Sequence, residues 1–209
     1  MICSYVGHAT IAISISKTQQ SEYSQTMAQK VKSPSKLAHV VLRTANFRNM
    51  VQYYKDFLGA EASYENDMLC FLRYDEEHHR IALIAFPGTQ PKVIGSSGLE
   101  HTAFTFDTLE DLMLGYQQRK ALGMVPSWCV NHGPTTSLYY TDPDGNQIET
   151  QVDNFDTAEE ANEFMASKEF AENPIGTDFD PEDLIRRLAS GEDAASIKRR
   201  REIGPRGLP

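Results

Sequence analysis

Apolar residues along the chain change spacing in an order that predicts a strand, a helix and then further strands. The run LAHVVLRT, which starts at Leu37, is rich in β-branched residues, as strands are. Apolar side chains then recur at helical spacing from Phe47 to Leu58, and Gly59 is placed to end that helix. Two or three strand-like runs follow, around EASYEN, MLCFLRYD and RIALIAF.

The same order of elements appears a second time. LEHTAFTF matches LAHVVLRT and places His101 at the position of His39, 62 residues later. The next helix is predicted to start at a capping box of Asp107 and Glu110 and to end at Gly123. Strand-like VPSWCV, SLYYTD and QIETQV follow, and the turn residues DPDGN join the last two as a hairpin. Two copies of a β-α-β-β-β unit, at about 37–86 and 99–153, are the economical interpretation.

The ends of the chain differ from these repeats in composition. From 18 to 36 the chain is mostly Ser, Gln, Lys and Thr, so residues 1–36 are predicted to form a flexible N-terminal extension. The domain itself is expected to span 37–155. Its composition, 40% hydrophobic and 23% charged, is ordinary for a globular protein.

Beyond the repeats, residues 156–209 are predicted to be a helical C-terminal extension. A capping box of Thr157 and Glu160 starts one helix, and Asp180 followed by a proline starts another. Four consecutive basic residues, 198–201, are expected to belong to a solvated charged tail.

Charge and cysteine content exclude several classes of function. Twenty Lys and Arg against 29 Asp and Glu give a net charge of -9, which argues against nucleic acid as a partner. No apolar run approaches the ~18 residues of a membrane-spanning helix, so no membrane partner is expected. Cys3, Cys70 and Cys129 form no CxxC pair, so neither a disulfide framework nor a zinc site is indicated. A reducing cytosol fits best, and a cytoplasmic location is predicted.

Equivalent histidines inside two apolar strands need a shared reason to be there, and a metal ion supplies one. His39 and His101 begin equivalent strands, and Glu149 places a carboxylate on the last strand of the second repeat. Two His and one carboxylate form the facial triad of non-haem iron oxygenases, which leaves open coordination positions. The first repeat has Ala82 where the second has Glu149, so a fourth ligand is missing. The alternative is that Glu149 pairs with Arg80 or a lysine.

Taken together, LAH, LEH and DPDGNQIE in repeated β-α-β-β-β units resemble the vicinal oxygen chelate superfamily. That superfamily includes glyoxalases, fosfomycin and bleomycin resistance proteins, and type I extradiol ring-cleavage dioxygenases. The resemblance spans Leu37 to Phe155. Within it, HHRIALIAFPG followed by GLEH, and SLYYTDPDGNQIE, most resemble the metal-bearing domain of the biphenyl-diol and catechol dioxygenases. The additional metal-free N-terminal copy of the double repeat, which the best-known members carry, is not present in this sequence.

The resemblance implies an α+β fold in which two βαβββ repeats form a curved mixed sheet around a metal site. It implies Fe(II) as the cofactor, with Mn(II) or another divalent metal as the alternative, held by His39, His101 and Glu149. A homodimer is implied as well.

The resemblance also implies roles for three further residues. His79, the second residue of the HH pair, corresponds to the acid-base histidine, and the alternative is a turn residue on the surface. Tyr139 in SLYY corresponds to the active-site tyrosine, and His132 in NHGP to a further histidine close to it. Trp128 is the best candidate for a pocket wall, whereas Phe104, Phe106 and Tyr140 are expected in the core.

Three functions follow from these observations, in order of preference. The first is extradiol cleavage of a catechol-like aromatic substrate with O2. The second is a metal-dependent, glyoxalase-like isomerase or lyase acting on a small or polyketide-like molecule. The third is a small-molecule binding protein without catalysis, for which the metal-ligand pattern would be a coincidence.

Overall fold

The computed structural model describes residues 31–207, so most of the predicted N-terminal extension lies outside the described residues. Residues from Ala38 onward form one compact unit. None of the described helices is long and apolar enough to cross a membrane. The elements, in chain order, are β1 (Val40–Arg43), α1 (Phe47–Leu58), β2 (Glu61–Glu65), β3 (Leu69–Arg73), β4 (Ile81–Ile84), β5 (His101–Phe106), α2 (Leu109–Ala121), β6 (Trp128–Asn131), β7 (Thr135–Thr141), β8 (Gln147–Asp153), α3 (Ala158–Met165), α4 (Lys168–Glu172), β9 (Thr177–Asp178), α5 (Pro181–Ala189) and α6 (Ala194–Lys198).

The described strands form two mixed sheets, one from each repeat. The first has the order β1-β4-β3-β2 and the second the order β5-β8-β7-β6-β9. In each repeat the first strand pairs in parallel with the fourth, and the remaining pairs are antiparallel. The helix between the first two strands makes that parallel pairing possible. The predicted pair of βαβββ units is therefore confirmed.

Most of the predicted helix ends are confirmed, and one is displaced. Gly59 ends α1 in the left-handed conformation, with φ of 61°. Helix α2, however, is capped by Thr108, whose side chain accepts from the backbone N–H of Asp111. The predicted capping box of Asp107 and Glu110 was wrong by one residue, because the adjacent Thr108 also has a side-chain oxygen that can cap a helix.

Helices α1 and α2 cover the apolar faces of the sheets. Each presents one buried stripe, and the two stripes share a single core with both sheets. Tyr140 is 1% exposed, and Phe104 and Phe106 pack against the same cluster, as predicted. The buried side chains of the apolar core are Met50, Val51, Tyr54 and Phe57 from α1, and Leu109, Leu112, Met113 and Tyr116 from α2.

A buried hydrogen bond ties the first repeat to the hairpin turn of the second. Asp142 is 4% exposed, and its Oδ1 accepts from the backbone N–H groups of Asp144 and Asn146 at 2.9 and 2.8 Å. Its Oδ2 accepts from the Asn146 side chain at 2.8 Å and from the Tyr54 hydroxyl on α1 at 3.0 Å. The predicted DPDGN turn is thus held from inside the protein, directly before strand β8.

The C-terminal extension packs against the second sheet, and its basic segment is not a solvated tail. Strand β9 pairs with β6, and Arg200 is 7% exposed. The Arg200 guanidinium donates to the backbone carbonyls of His132, Asn173 and Glu169 at 3.0, 2.7 and 3.2 Å. The expectation for this residue was wrong because several carbonyls and the Glu202 carboxylate together satisfy a guanidinium that has left water.

We expect Tyr54→Phe to lower the free energy of unfolding by about 1–2 kcal/mol, because it removes one hydrogen bond to a buried carboxylate. Urea unfolding followed by circular dichroism measures this loss. Tyr53→Phe is the matched control, since the Tyr53 hydroxyl makes no hydrogen bond within residues 31–207. Equal effects of the two substitutions would show that the contact with Asp142 adds no stability.

Candidate metal centre

The register of the second sheet places four side chains in one row across four strands. Ala103 of β5 pairs with Glu149 of β8, Glu149 pairs with Tyr139 of β7, and Tyr139 pairs with Trp128 of β6. Paired residues of neighbouring strands point to the same side of a sheet. His101 lies two residues before Ala103 and therefore shares this face. We call Ala103, Glu149, Tyr139 and Trp128 the site row.

His101 and Glu149 are in direct contact within this face. The distance from His101 Nε2 to Glu149 Oε2 is 3.0 Å, and the Glu149 side chain is only 6% exposed. Two ligands held at right angles on one metal ion by bonds of about 2.1 Å lie roughly 3 Å apart, so this spacing suits two neighbouring ligands. The alternative partner Arg80 binds Asp75 instead, at 2.8 Å.

Tyr139 and His132 extend the cluster on the other side of Glu149. The Tyr139 hydroxyl lies 3.0 Å from His132 Nε2, and His132 Nδ1 lies 2.6 Å from the carbonyl oxygen of Ile175. Burial, followed by the nearby Glu149 carboxylate, raises the pKa of Tyr139 far above its ordinary value, so the phenol keeps its proton. Trp128 stacks on the Tyr139 ring with centroids 5.0 Å apart. The structure thus brings together four of the predicted residues and the predicted pocket wall.

The first sheet repeats this row without the carboxylate. Val41 pairs with Ala82, Ala82 with Phe71, and Phe71 with Tyr64. Ala82 therefore occupies the position that Glu149 has in the second sheet, as the comparison of the two repeats predicted. A methyl group there cannot bind a metal ion, so only the second repeat offers a carboxylate ligand at this position.

His39 lies one residue before β1 and contacts His79, not His101 or Glu149. The His39 and His79 rings are 4.3 Å apart, and the His79 ring also stacks on Phe71 at 4.8 Å. His79 is 9% exposed, so it is not the surface turn residue of the alternative interpretation. Burial, with the neighbouring His39 and His78, lowers the pKa of His79.

The structure supports part of the predicted metal site and leaves the rest as a prediction. Within residues 31–207, no three His, Cys, Asp or Glu side chains lie close enough to hold one ion. His101 and Glu149 nevertheless have the spacing of ligand neighbours, and imidazole with carboxylate suits a divalent metal. His79 Nδ1 is buried without a hydrogen-bond partner, close to the remaining predicted ligand, His39. The imidazole of His101 and the carboxylate of Glu149 fit a divalent ion, and His39 as the third ligand stays a prediction.

Sequence reasoning missed the residues that support this cluster from the C-terminal extension. Ile175 contributes only a backbone carbonyl, which leaves no sequence signal. Asp178 accepts from Trp128 Nε1 at 2.8 Å and pairs with Arg206 at 2.8 Å. Arg200, discussed above, lay within a visible basic run, and only its burial distinguishes it from the neighbouring arginines.

Comparison with known proteins agrees with this geometry. A family model described as the glyoxalase/bleomycin resistance protein/dioxygenase superfamily matches residues 36–150. The chain belongs to this superfamily. The match includes His39, His101, Glu149 and the other predicted site residues, and it ends within β8.

Similar members of the superfamily include two proteins of Rhodococcus globerulus. Biphenyl-2,3-diol 1,2-dioxygenase 2 is 47% identical over 75% of this chain and 83% of its own length. Biphenyl-2,3-diol 1,2-dioxygenase 3 is 46% identical over 79% of this chain and 88% of its own length. Among solved structures, a glyoxylase/bleomycin resistance protein/dioxygenase domain from Frankia sp. EAN1pec is 18% identical, with a TM-score of 0.49, over 58% of this chain and 93% of that one.

We expect the protein to bind about one divalent metal ion per chain, and His101→Ala and Glu149→Ala each to lose it. Protein incubated with Fe(II) without oxygen, then desalted, is measured by inductively coupled plasma mass spectrometry. His78→Ala is the matched control, because its side chain is 70% exposed and pairs with Glu77. His39→Ala shows whether His39 is the third ligand. Iron that persists in the His101 and Glu149 variants would contradict the site.

Proposed function

We propose that this protein is a metal-dependent extradiol dioxygenase, which cleaves a catechol-type aromatic ring with O2. The observation that carries the proposal is the 47% identity with a biphenyl-2,3-diol 1,2-dioxygenase over 83% of that protein's length. The contact between His101 and Glu149, at the centre of a face that also carries Tyr139 and His132, supports it.

His101, Glu149 and His39 would hold the metal ion, with Fe(II) as our first choice and Mn(II) as the alternative. When bound, such an ion would supply Lewis-acid and redox chemistry with open coordination positions, which suits the reaction of a vicinal diol with O2. The chain's own contribution begins with Glu149, whose buried carboxylate supplies negative charge where water is largely excluded. His101 orients that carboxylate through the 3.0 Å contact.

His79 is our candidate for the proton-transfer residue. Its Nδ1 is buried and has no hydrogen-bond partner, so this nitrogen is free to accept or donate a proton when a ligand arrives. Because its pKa is lowered, the neutral imidazole predominates near neutral pH and can accept a proton from a diol hydroxyl. Stacking on Phe71 and His39 holds the ring in place.

Trp128 and Tyr139 form the aromatic wall of the proposed substrate site. Their rings stack with an interplanar angle of 25°, and the Trp128 indole N–H donates to Asp178. A flat ring bound beside His101 would meet this wall through favourable aromatic contacts. The arrangement favours an aromatic substrate over a small aliphatic one.

The experiment that tests this function is incubation of the iron-loaded protein with a panel of catechols, including 2,3-dihydroxybiphenyl, under heavy-isotope-labelled dioxygen. We expect both atoms of one O2 molecule to appear in the same ring-opened product, measured by mass spectrometry. An isomerase or lyase would convert its substrate without incorporating label from O2. Binding of the panel without conversion would indicate a non-catalytic binding protein, and either result would overturn the proposal.

A histidine pair supplies the internal control for this experiment. His79→Gln is expected to lower kcat by about a hundred- to ten-thousand-fold, the range for loss of a general acid-base group. His78→Gln, next to it in sequence but exposed, should leave kcat essentially unchanged. Equal activity of both variants would remove His79 from the mechanism.

We also propose that the protein is a homodimer. Among the described strands, β1 has a neighbour on one side only, and an unpaired edge offers free backbone groups to a second chain. Val41, Ile94 and Leu99, all exposed, line a groove along this strand. Sedimentation velocity at micromolar concentration should give the mass of a dimer, and a monomeric mass would overturn this proposal.

We further place the protein in the cytosol. Cys70 and Cys129 are both free thiols, and burial raises the pKa of Cys70 to about 11 and that of Cys129 to about 12. Buried thiols that stay protonated are unreactive, which suits a reducing compartment without requiring disulfides.

A further inference from the structure

The two ring nitrogens of His132 have different hydrogen-bond partners. One partner can only accept a hydrogen bond, and the other can either donate or accept. His132 Nδ1 lies 2.6 Å from the carbonyl oxygen of Ile175, and a carbonyl can only accept. Nδ1 must therefore carry a proton. Its Nε2 lies 3.0 Å from the Tyr139 hydroxyl, which can either donate or accept. The backbone carbonyl, and not the tyrosine, thus decides which nitrogen of His132 is protonated.

The carbonyl of Ile175 belongs to a short, tightly held loop, Asn173–Gly176, which we call the carbonyl loop. Asn173 is 1% exposed and closes the loop, since it donates to the Gly176 carbonyl at 3.1 Å and accepts from the Gly176 N–H at 2.7 Å. Gly176 has φ of 106°, and a Cβ there would lie 2.2 Å from the Asn131 carbonyl oxygen. Only glycine permits so close an approach of this loop to the end of β6.

A single nitrogen of Arg200 connects the carbonyl loop to the strand end that carries His132. Arg200 Nη1 donates to the His132 carbonyl at 3.0 Å and to the Asn173 carbonyl at 2.7 Å. The neighbouring Arg201 carbonyl accepts from the Thr177 hydroxyl at 2.6 Å. Farther along, Arg206 donates to the Gly176 carbonyl at 3.1 Å. We call residues 199–207 the C-terminal clasp.

We propose that the C-terminal clasp, through Arg200 and the carbonyl loop, holds His132 in its Nδ1–H form, so that Nε2 faces the Tyr139 hydroxyl as a hydrogen-bond acceptor. Arg200 is a positioning residue in this arrangement, since it touches neither the proposed metal ligands nor a substrate. It acts by keeping the Ile175 carbonyl at a fixed place relative to the imidazole.

The two hydrogen bonds leave His132 with one proton on Nδ1 and none on Nε2. Burial lowers the pKa of His132, outweighing the opposite effects of the Ile175 carbonyl and Glu149, so the neutral ring predominates. A neutral ring with Nδ1–H has a bare Nε2, which can accept a hydrogen bond from the Tyr139 hydroxyl 3.0 Å away. The Glu149 carboxylate is a second acceptor beside the same hydroxyl.

The experiment is NMR spectroscopy of the full-length chain labelled in its histidine rings with carbon-13 and nitrogen-15, without added metal, at neutral pH. The His132 signals are those missing from a His132→Gln spectrum. We expect nitrogen and ring-carbon shifts of a single Nδ1–H tautomer. Signals of the Nε2–H tautomer, or of a ring protonated on both nitrogens, would overturn the proposal.

Two variants distinguish the effect of the C-terminal clasp on the His132 tautomer from the effect of Tyr139. Arg200→Met, which keeps the length of the side chain but has no donors, should lose the single tautomer and show exchange between both forms. Arg199→Met is the matched control, because Arg199 is exposed and its side chain has no hydrogen-bond or ion-pair partner among residues 31–207. Tyr139→Phe removes the other partner of the imidazole and should leave the Nδ1–H form unchanged.

An unchanged His132 spectrum in folded Arg200→Met would contradict the part played by the clasp. If Arg200→Met does not fold, which circular dichroism would show, Tyr139→Phe still decides the matter. Appearance of the Nε2–H form in Tyr139→Phe would show that the tyrosine sets the tautomer, and would overturn the proposal. Retention of Nδ1–H there, with loss in Arg200→Met only, supports it.

Discussion

The buried carboxylate of Glu149 is the constraint around which the rest of the second repeat is arranged. A carboxylate that is 4% exposed must be compensated by positive charge or hydrogen bonds, since burial without them is costly. The register of three strands brings His101 and Tyr139 to it from both sides. Under the proposed function, a divalent ion would complete that compensation.

The two repeats share a frame but divide the chemistry between them. Both sheets carry a row of paired residues that ends in aromatic side chains, Phe71 and Tyr64 in the first and Tyr139 and Trp128 in the second. Ala82 leaves the first row without a carboxylate, and the histidines of the first repeat, His39 and His79, contact each other with ring centroids 4.3 Å apart. Under the proposed function, the second repeat would supply the carboxylate ligand and the first repeat the proton-transfer group.

The C-terminal extension supplies what the repeats lack. Both repeats end in strands, and the hydrogen-bond partner of His132 Nδ1 comes from beyond them. The carbonyl loop and Arg200 provide this contact with backbone carbonyls and one buried guanidinium. Asp178, which pairs with Arg206, accepts a hydrogen bond from Trp128 of the aromatic wall. Segments outside the two repeats thus contact residues of the candidate site.

Local patterns in the sequence determined the elements of this protein, because the spacing of apolar residues, caps and turn residues acts over a few positions. The repeats, the DPDGN turn and the candidates His39, His101 and Glu149 follow from such patterns, whereas Tyr139 came from the resemblance to the family. The capping residue of α2 was missed by one position, since Thr108 and Asp107 are adjacent and both are residue types that cap helices.

Only the tertiary structure decided which of these groups meet. It joined His101 to Glu149 through strand pairing and left His39 beside His79, because distances between strands far apart in sequence depend on the whole packing arrangement. The fold also brings the main-chain carbonyl of Ile175 to His132, although every residue has such a carbonyl. It buries Arg200, whereas the neighbouring arginines stay exposed. Neither a backbone carbonyl nor the burial of one arginine in a basic run has a local signature, so both had to come from the fold.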